Sequence, residues 1–350
     1  MAPILYKLPE AVPALLDALK ASRTLFFDCE GVDLGTKGGS LTVMSFGTPR
    51  SPDDAHIVHV PPIGATALRP IFDLLESETI QKVVFDGRMD QCALFYGFDG
   101  VKLRNVVDLQ IVDVKARRQT EPLGSEEQLE RLVPYLTYRE VMGDQANMYQ
   151  HVHKLAGLVQ AFVEHGLDAE VWEDAAELDL DKTRYRNWAK KDLSQDQLNY
   201  AATEIRLIRR LYAHFNKREL LSCEVCEASE KYGSLWIRDG LRQPSTFDEY
   251  RRHPLLPLGI IDGTAGYGFT HTCSGCKRSL TRACFSRSAW DKNGNCLVCR
   301  AVHLHTVRKA ERLRHQYDSD HDDNYGYGWG YDGGSPGPED GYAYYGSDLD

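Results

Sequence analysis

The chain has 350 residues, 42% of them hydrophobic and 26% charged, which is ordinary for a globular protein and enough to bury a sizeable core. The sequence has no run of about 18 apolar residues, so we expect neither a membrane-spanning helix nor a membrane partner. The first nine residues lack the basic and apolar regions of a secretory signal, which favours an intracellular protein, nuclear or cytoplasmic and not secreted. In a reducing compartment, the nine cysteines indicate metal ligands and packing side chains rather than disulfides.

The formal net charge of −10 is distributed unevenly along the chain. Residues 266–314 hold ten Lys or Arg against two acidic residues, whereas residues 315–350 hold nine acidic residues and no Lys or Arg. The charge of each segment is therefore more informative than the total. The basic segment favours a nucleic acid or another acidic partner.

The first half of the chain alternates between strand and helix patterns. Three short β-forming runs, residues 24–28, 41–47 and 57–60, are separated by turn residues and predict an antiparallel meander. Further predicted elements are a helix over 67–77, a strand over 83–86, a helix over 89–96, and a strand at 106–107 that leads into a helix from Asp108. This order predicts an α/β domain with a mixed five-stranded sheet flanked by helices.

The second half predicts four kinds of segment. Residues up to 221 are mostly helical, and the last long helix begins at Ser194, which fits an N-cap. Residues 222–265 form a linker or helical extension, and 266–314 form a separate small module that ends in a basic helix. Residues 315–350 are rich in Asp, Gly and Tyr with almost no aliphatic side chains, a composition that predicts a disordered acidic tail.

Acidic residues recur at three places in the predicted α/β domain. Asp28 and Glu30 are two apart on the first strand of the meander, so both side chains leave one face of the sheet, as a site for a hard divalent cation requires. For this pair alone, a solvated strand end is an equal alternative. Asp90 lies in the first turns of a helix after a buried strand, and Tyr200 and Glu204 lie one turn apart on the long late helix.

With these motifs in this order, residues 20–215 resemble the DEDDy branch of the 3′–5′ exonucleases, which includes RNase D and the Werner-type exonuclease domains. The residues that carry the resemblance are F-D-C-E-G around Asp28, the strand and helix over 83–94, and Y-A-A-T-E from Tyr200 to Glu204. The segment from Trp188 to Leu193 is similar to the family's W-x-x-R-P-L, with Lys191-Asp192 in place of Arg-Pro. The resemblance implies an RNase H-like fold and makes residues 1–221 the exonuclease domain.

The resemblance also implies two-metal phosphodiester hydrolysis of RNA or single-stranded DNA, with two Mg²⁺ or Mn²⁺ ions as cofactors. Asp28 would bridge both ions, Glu30 and Asp90 would each hold one, and the acid of the third motif would complete the site. Tyr200 would orient the attacking water or help to deprotonate it. The RNA or DNA choice depends on groove residues that the sequence does not locate.

The third motif departs from the family, because Glu204 stands where the family has Asp. The additional methylene moves the carboxylate oxygens by more than about 1 Å unless the helix shifts, and such a misplacement can cost about 100-fold in rate. Two interpretations follow: a slow or metal-selective exonuclease, which we favour, or a catalytically inactive nucleic-acid-binding or scaffold protein on the same fold.

Four cysteines with the spacing C-x₂-C-x₁₉-C-x₂-C predict a zinc ribbon or treble clef: Cys273, Cys276, Cys296 and Cys299. Four thiolates leave no open position on the ion, so one structural Zn²⁺ is expected. Basic residues on this module are candidates for phosphate contacts, with a solvated surface as the alternative: Arg278, Arg282, Arg287, Arg308 and Lys309. The module is also a candidate site for recruiting a protein partner.

Overall fold

The structure is a computed structural model that describes residues 3–50, 54–143, 146–167, 187–189, 192–239, 253–261 and 269–322. Within these ranges no helix is both long enough and apolar enough to cross a membrane. Lys191, one of the two residues that replace the family's Arg-Pro, lies outside the described residues, and so does the part of the predicted disordered tail from 323 to 350.

Strands and helices alternate through the first part of the chain. The described strands are β1 (Ile4–Tyr6), β2 (Thr24–Val32), β3 (Ser40–Gly47), β4 (His56–His59), β5 (Gln81–Val84), β6 (Val106–Asp108), β7 (Thr270–Thr272) and β8 (Ser279–Thr281). The described α-helices are α1 (Val12–Lys20), α2 (Val60–Ile63), α3 (Ala65–Glu76), α4 (Arg88–Gly97), α5 (Leu109–Thr120), α6 (Glu126–Glu130), α7 (Tyr138–Met142), α8 (Leu158–Glu164), α9 (Gln195–Lys217), α10 (Cys223–Ser234), α11 (Arg287–Asp291) and α12 (Leu297–Asp322). Short 3-10 helices cover Pro9–Ala11, Ala146–Tyr149 and Arg282–Cys284.

The main sheet has six strands in the order β1-β4-β3-β2-β5-β6. Strands β2, β3 and β4 form the predicted antiparallel meander, and β5 and β6 continue the sheet in parallel. The mixed α/β fold is confirmed, but the count of five strands was one too low. The missed strand, β1, pairs in parallel with β4; it is three residues long and buries only Tyr6, so it leaves no periodicity in the sequence.

Helices cover both faces of this sheet. On one face, Phe26 of β2 and Val83 of β5 pack in a cluster with Ile205 of α9. On the other face, Phe27 packs in a second cluster with apolar residues of α1 and α3, such as Leu15. Because successive residues of a strand point to opposite faces, β2 contributes to both cores and is the central element of the domain.

Helix α9 lies very close to the sheet. A side chain at Gly47 of β3 would place its Cβ 2.5 Å from Cγ2 of Ile205, so this approach requires glycine. The helix begins as predicted at Ser194, whose hydroxyl accepts from the N–H of Gln197 while the Gln197 side chain accepts from the Ser194 N–H. The position of α9 along the sheet is therefore fixed at its start and along its buried face.

The cysteine module shares a hydrophobic cluster with the α/β domain. Leu136 and Tyr149 pack in it together with Leu280 of β8 and Leu297 of α12. Helix α12 continues to Asp322, eight residues into the segment predicted as a disordered tail. Extending an existing helix adds one hydrogen bond per residue without a new nucleation cost, which composition alone does not reveal.

Candidate active site

The central strand β2 places two carboxylates on the face that α9 covers. Asp28 pairs with Ser45 and Glu30 pairs with Val43 across the antiparallel ladder, and the register shifts immediately after Glu30. At the shift, a Cβ on Gly31 would lie 2.0 Å from the carbonyl oxygen of Ser40, so only glycine fits there. This bulge lies directly beyond the two acids, and the strand continues after it for two residues to Val32.

Helix α9 brings a third carboxylate to the pair. One ligand oxygen each from Asp28, Glu30 and Glu204 can be chosen so that all three lie within 4.8 Å of one another. Glu204 therefore reaches the cluster in spite of its additional methylene. We call these three residues the acid cluster.

Tyr200 joins the acid cluster through a hydrogen bond. Its hydroxyl donates to Oε1 of Glu204 at 2.9 Å, and its ring lies 6.4 Å from the buried ring of Trp188. The Glu204 carboxylate, together with burial, raises the pKa of Tyr200 well above its ordinary value. The phenol is therefore held as a proton donor next to the cluster.

Asp90 approaches from the opposite face of the sheet and lies outside the acid cluster. Its side chain, on the first turn of α4, is only 4% exposed and contacts the thiol of Cys29. Cys29 lies between Asp28 and Glu30 on the strand, so its side chain points to the face that α4 covers. Asp90 is nevertheless close enough for its charge to raise the pKa of both Asp28 and Glu30.

Burial and mutual repulsion dominate the electrostatics of these acids. Burial, followed by the Glu204 carboxylate, raises the pKa of Asp28 and of Glu30 well above their ordinary values. Burial and the nearby Asp86 raise the pKa of Asp90 to about 8. Burial also raises the pKa of Glu204. Clustered carboxylates with these shifts are stable as charged groups only when a cation neutralises them.

Other acids near the strand ends have structural roles. Asp108 caps α5 by accepting from the N–H of Gln110, as its position after a strand suggests. Asp86 occupies the turn between β5 and α4 with a φ of 56° and forms an ion pair with Arg88. Asp113 pairs with Arg117 and His165 in the interior.

The four predicted zinc ligands come together. One sulfur from each of Cys273, Cys276, Cys296 and Cys299 lies within 4.8 Å of all the others. The first pair comes from the β7–β8 hairpin, and the second from the start of α12. Hydrogen bonds from the other thiols and from the N–H of Cys296 lower the pKa of Cys273. Hydrogen bonds with the same thiols raise the pKa of Cys296 and of Cys299, so the opposite shifts reflect the close approach of the four sulfurs.

The five basic candidates of this module differ in their surroundings. Arg278 donates to the carbonyl of Leu258 at 2.7 Å, and Arg282 donates to the carbonyl of Phe285 at 2.9 Å. Arg308 pairs with Glu140 at 2.8 Å and donates to the carbonyl of Tyr135. By contrast, Arg287 lines an open cavity of about 920 Å³ with Lys292 and Arg300, and Lys309 is exposed on α12.

Sequence reasoning missed a buried set of side chains beside Asp90. Arg88, Tyr232, Trp236 and the backbone of His253 meet at the start of α4. The only local signal was an arginine inside the otherwise apolar and acidic second motif. Its partners lie more than 140 residues further along the chain.

Comparison with known proteins identifies the fold and the family. A sequence model of the 3′–5′ exonuclease family matches residues 6–219, more than half of the chain. The chain belongs to the 3′–5′ exonuclease family. The match ends just after α9, so α10 and the cysteine module lie beyond it. No curated protein matches the sequence significantly.

Solved structures resemble this exonuclease chain at low identity. Trypanosoma brucei RNase D in complex with the RNA U12 is 17% identical with a TM-score of 0.53, over 83% of this chain and 88% of that chain. Escherichia coli RNase D is 16% identical with a TM-score of 0.44, over 72% and 54%. Brucella melitensis NrnC with bound Mg²⁺ is 18% identical with a TM-score of 0.40, over 66% and 87%. The first of these likenesses shows that the two proteins share a fold.

Proposed function

We propose that this protein is a metal-dependent 3′–5′ exonuclease that hydrolyses phosphodiester bonds of RNA or single-stranded DNA. The observation that carries the proposal is the acid cluster, in which carboxylates from β2 and α9 converge within 4.8 Å. Within the described residues, the buried Oδ2 of Asp28 has no hydrogen-bond partner. A buried carboxylate oxygen beside two other acids fits Mg²⁺ or Mn²⁺, which prefer oxygen ligands.

Each residue of the candidate site has a separate proposed role. Asp28, Glu30 and Glu204 would hold the divalent ions, with Asp90 contributing from the other side of β2. Bound ions of this kind stabilise the attacking and leaving oxygens of an in-line displacement. Tyr200, fixed by Glu204 and by its packing near Trp188, positions its hydroxyl toward the reacting phosphate or the attacking water. Arg287 and Lys309 supply positive charge for the nucleic-acid backbone, and the four cysteines hold one structural Zn²⁺.

Replacement of Asp28 by Asn is expected to abolish turnover, because it removes the carboxylate shared by the whole cluster while keeping its shape. The measurement is the shortening of a 5′-labelled single-stranded oligonucleotide, as RNA and as DNA, in Mg²⁺ and in Mn²⁺. Asp73→Asn, which changes an exposed acid on α3, is the matched control and should degrade the substrate like wild type.

A ladder of shortened products with wild type and the control, absent with Asp28→Asn, supports the exonuclease. The departure from the family's Asp at Glu204 is the reason to test a second candidate, a nucleic-acid-binding scaffold on the same fold. That candidate predicts retained oligonucleotide binding with no ladder in either metal. The degradation assay, together with a binding measurement on the same oligonucleotide, therefore decides between the two functions.

Metal binding should stabilise the chain more strongly near pH 8 than near pH 6. A carboxyl whose pKa is higher in the folded chain binds its proton more tightly when folded, so its contribution to the free energy of unfolding falls as pH rises. For Asp90 this loss continues up to about pH 8, and the raised pKa values of Asp28 and Glu30 act in the same direction. Bound cations offset this loss of stability at the higher pH, at which the carboxylates are charged.

The test is the increase in melting temperature on adding Mn²⁺ at the two pH values. Comparing each sample with its own metal-free state cancels the titration of histidines elsewhere in the chain. The difference should vanish in Asp28→Asn. An equal increase at both pH values in wild type would contradict the assigned electrostatics of the cluster.

A further inference from the structure

Arg88 is a buried cation two residues before Asp90 on α4. Only 6% of its surface is exposed. Its Nε and Nη2 donate to the two carboxylate oxygens of Asp86, and its Nη1 donates to the carbonyl of His253 at 3.1 Å. A buried guanidinium is tolerated only where its donors find fixed partners, so this group ties the start of α4 to a segment far along the chain.

Two aromatic rings from the region of α10 enclose the same guanidinium. The centroids of the Tyr232 and Trp236 rings each lie 5.8 Å from Cζ of Arg88. The two rings stand at 90° to each other, and the Tyr232 hydroxyl donates to Oδ1 of Asp86 at 3.4 Å. The cation and its counterion are therefore held by one set of partners. We call Arg88, Tyr232, Trp236 and His253 the clamp.

The turn that leads into α4 is fixed from its other side by Asp108. The Asp108 carboxylate accepts from the N–H groups of Asp86 and Gly87, both at 3.0 Å. The N–H of Asp108 donates in turn to the hydroxyl of Ser229 on α10, also at 3.0 Å. The β5–α4 turn is thus held between β6 and α10, which leaves the first turn of α4 little freedom to move.

Contacts continue along the rest of α4. The thiol of Cys92 donates to the carbonyl of Trp236 at 3.3 Å. The N–H of Arg238 donates to the Tyr96 hydroxyl at 3.0 Å. The residues of the clamp that contact Arg88 from outside α4, and also Ser229 and Arg238, lie beyond the residues 6–219 that match the exonuclease family.

We propose that the clamp sets the position of Asp90 relative to the acid cluster, with Arg88 as a positioning residue, and this inference rests on the exonuclease function proposed above. Asp90 is the one candidate ligand that reaches the site from a separate helix on the other face of the sheet. Its alignment depends on where α4 begins, and the clamp fixes that point. The clamp residues that follow the family domain, Tyr232, Trp236 and His253, therefore contribute to the geometry of the active site.

Arg88→Met in the full-length chain tests this role, because methionine keeps apolar bulk and removes every donor. A displacement of Asp90 on the scale of 1 Å predicts a loss of kcat of up to about 100-fold. The Mn²⁺ concentration needed for half-maximal rate should rise, while KM for the oligonucleotide stays unchanged. Tyr232→Phe removes only the hydroxyl that reaches Asp86 and should show a smaller change in the same direction. This variant therefore tests the clamp even if Arg88→Met does not fold.

Lys115→Met provides the matched control. It breaks the pair between Lys115 and Glu224 at 2.9 Å, which also joins α10 to the α/β domain but does not reach α4. Its kcat and metal dependence should equal those of wild type. If α10 only stabilises the fold, Lys115→Met and the clamp variants should all lower the stability of the chain. None of them should then selectively change the Mn²⁺ dependence of the rate.

Hydrogen exchange of the α4 amides gives a readout that does not depend on activity. Exchange should be faster in Arg88→Met and Tyr232→Phe, and unchanged in Lys115→Met. If both clamp variants keep wild-type kcat, metal dependence and α4 exchange, the inference is overturned. If wild type itself lacks nuclease activity, the proposed function fails, and faster α4 exchange in the clamp variants would still show that the clamp holds the helix.

Discussion

Glu204→Asp, which restores the residue typical of the family, is expected to lower the rate by about 100-fold rather than raise it. The Glu204 carboxylate already lies within 4.8 Å of the ligand oxygens of Asp28 and Glu30 and accepts the Tyr200 hydroxyl at 2.9 Å. Shortening the side chain by one methylene withdraws it from both contacts. Helix α9 cannot follow, because Ile205 is already in close contact with Gly47 on the sheet.

The rate is measured on a 5′-labelled oligonucleotide in Mg²⁺ and in Mn²⁺. Glu204→Gln, which keeps the length and removes the charge, should be at least as impaired as Glu204→Asp. Glu227→Asp, the same change at an exposed position of α10, is the matched control and should have no effect. Wild-type or higher activity of Glu204→Asp would show instead that the site is an aspartate site weakened by substitution.

Cys296→Ser should lower the melting temperature by roughly 10 °C or more, the shift expected for a loss of several kcal/mol in a chain of this size. Cys296 is buried within the four-cysteine group, and its N–H donates to the sulfur of Cys273 at 3.1 Å. The module packs in one cluster with Leu136 and Tyr149, so loss of its metal also uncovers apolar surface of the α/β domain.

Thermal unfolding and zinc content of the purified chain are the two measurements. Cys223→Ser replaces an exposed cysteine at the start of α10 and is the control, with no change expected in either quantity. Cys296→Ser with wild-type melting temperature and an unchanged zinc content would exclude the structural zinc site.

Local patterns predicted the parts of the fold and site that depend on local sequence. The D-x-E pair on β2, the meander, and the capping of α9 at Ser194 each follow from residues within one element or two neighbouring elements. The motif order then placed Asp28, Glu30 and Glu204 in one site, and the structure brings them together. The four cysteines were also predictable, because the C-x₂-C spacing brings the two thiols of each pair together and two such pairs are typical of a zinc site.

Features that depend on distant contacts were not predictable. The position of Asp90 on the far side of β2 depends on how α4 packs, and Arg88 has partners 144, 148 and 165 residues away in Tyr232, Trp236 and His253. The basic residues of the module were judged by charge alone. In the structure, Arg278 and Arg308 are engaged with the body of the protein, because their donors reach the Leu258 carbonyl and the Glu140 carboxylate.

The most direct test of an exonuclease built on the acid cluster compares a linear single-stranded oligonucleotide with the same sequence closed into a circle. We expect the linear 5′-labelled strand to shorten stepwise from its 3′ end in Mg²⁺ or Mn²⁺, and the circle to remain intact because it offers no 3′ end. Neither substrate should change with Asp28→Asn. Cleavage of the circle, or a linear strand that stays intact in both metals, would contradict the proposed function.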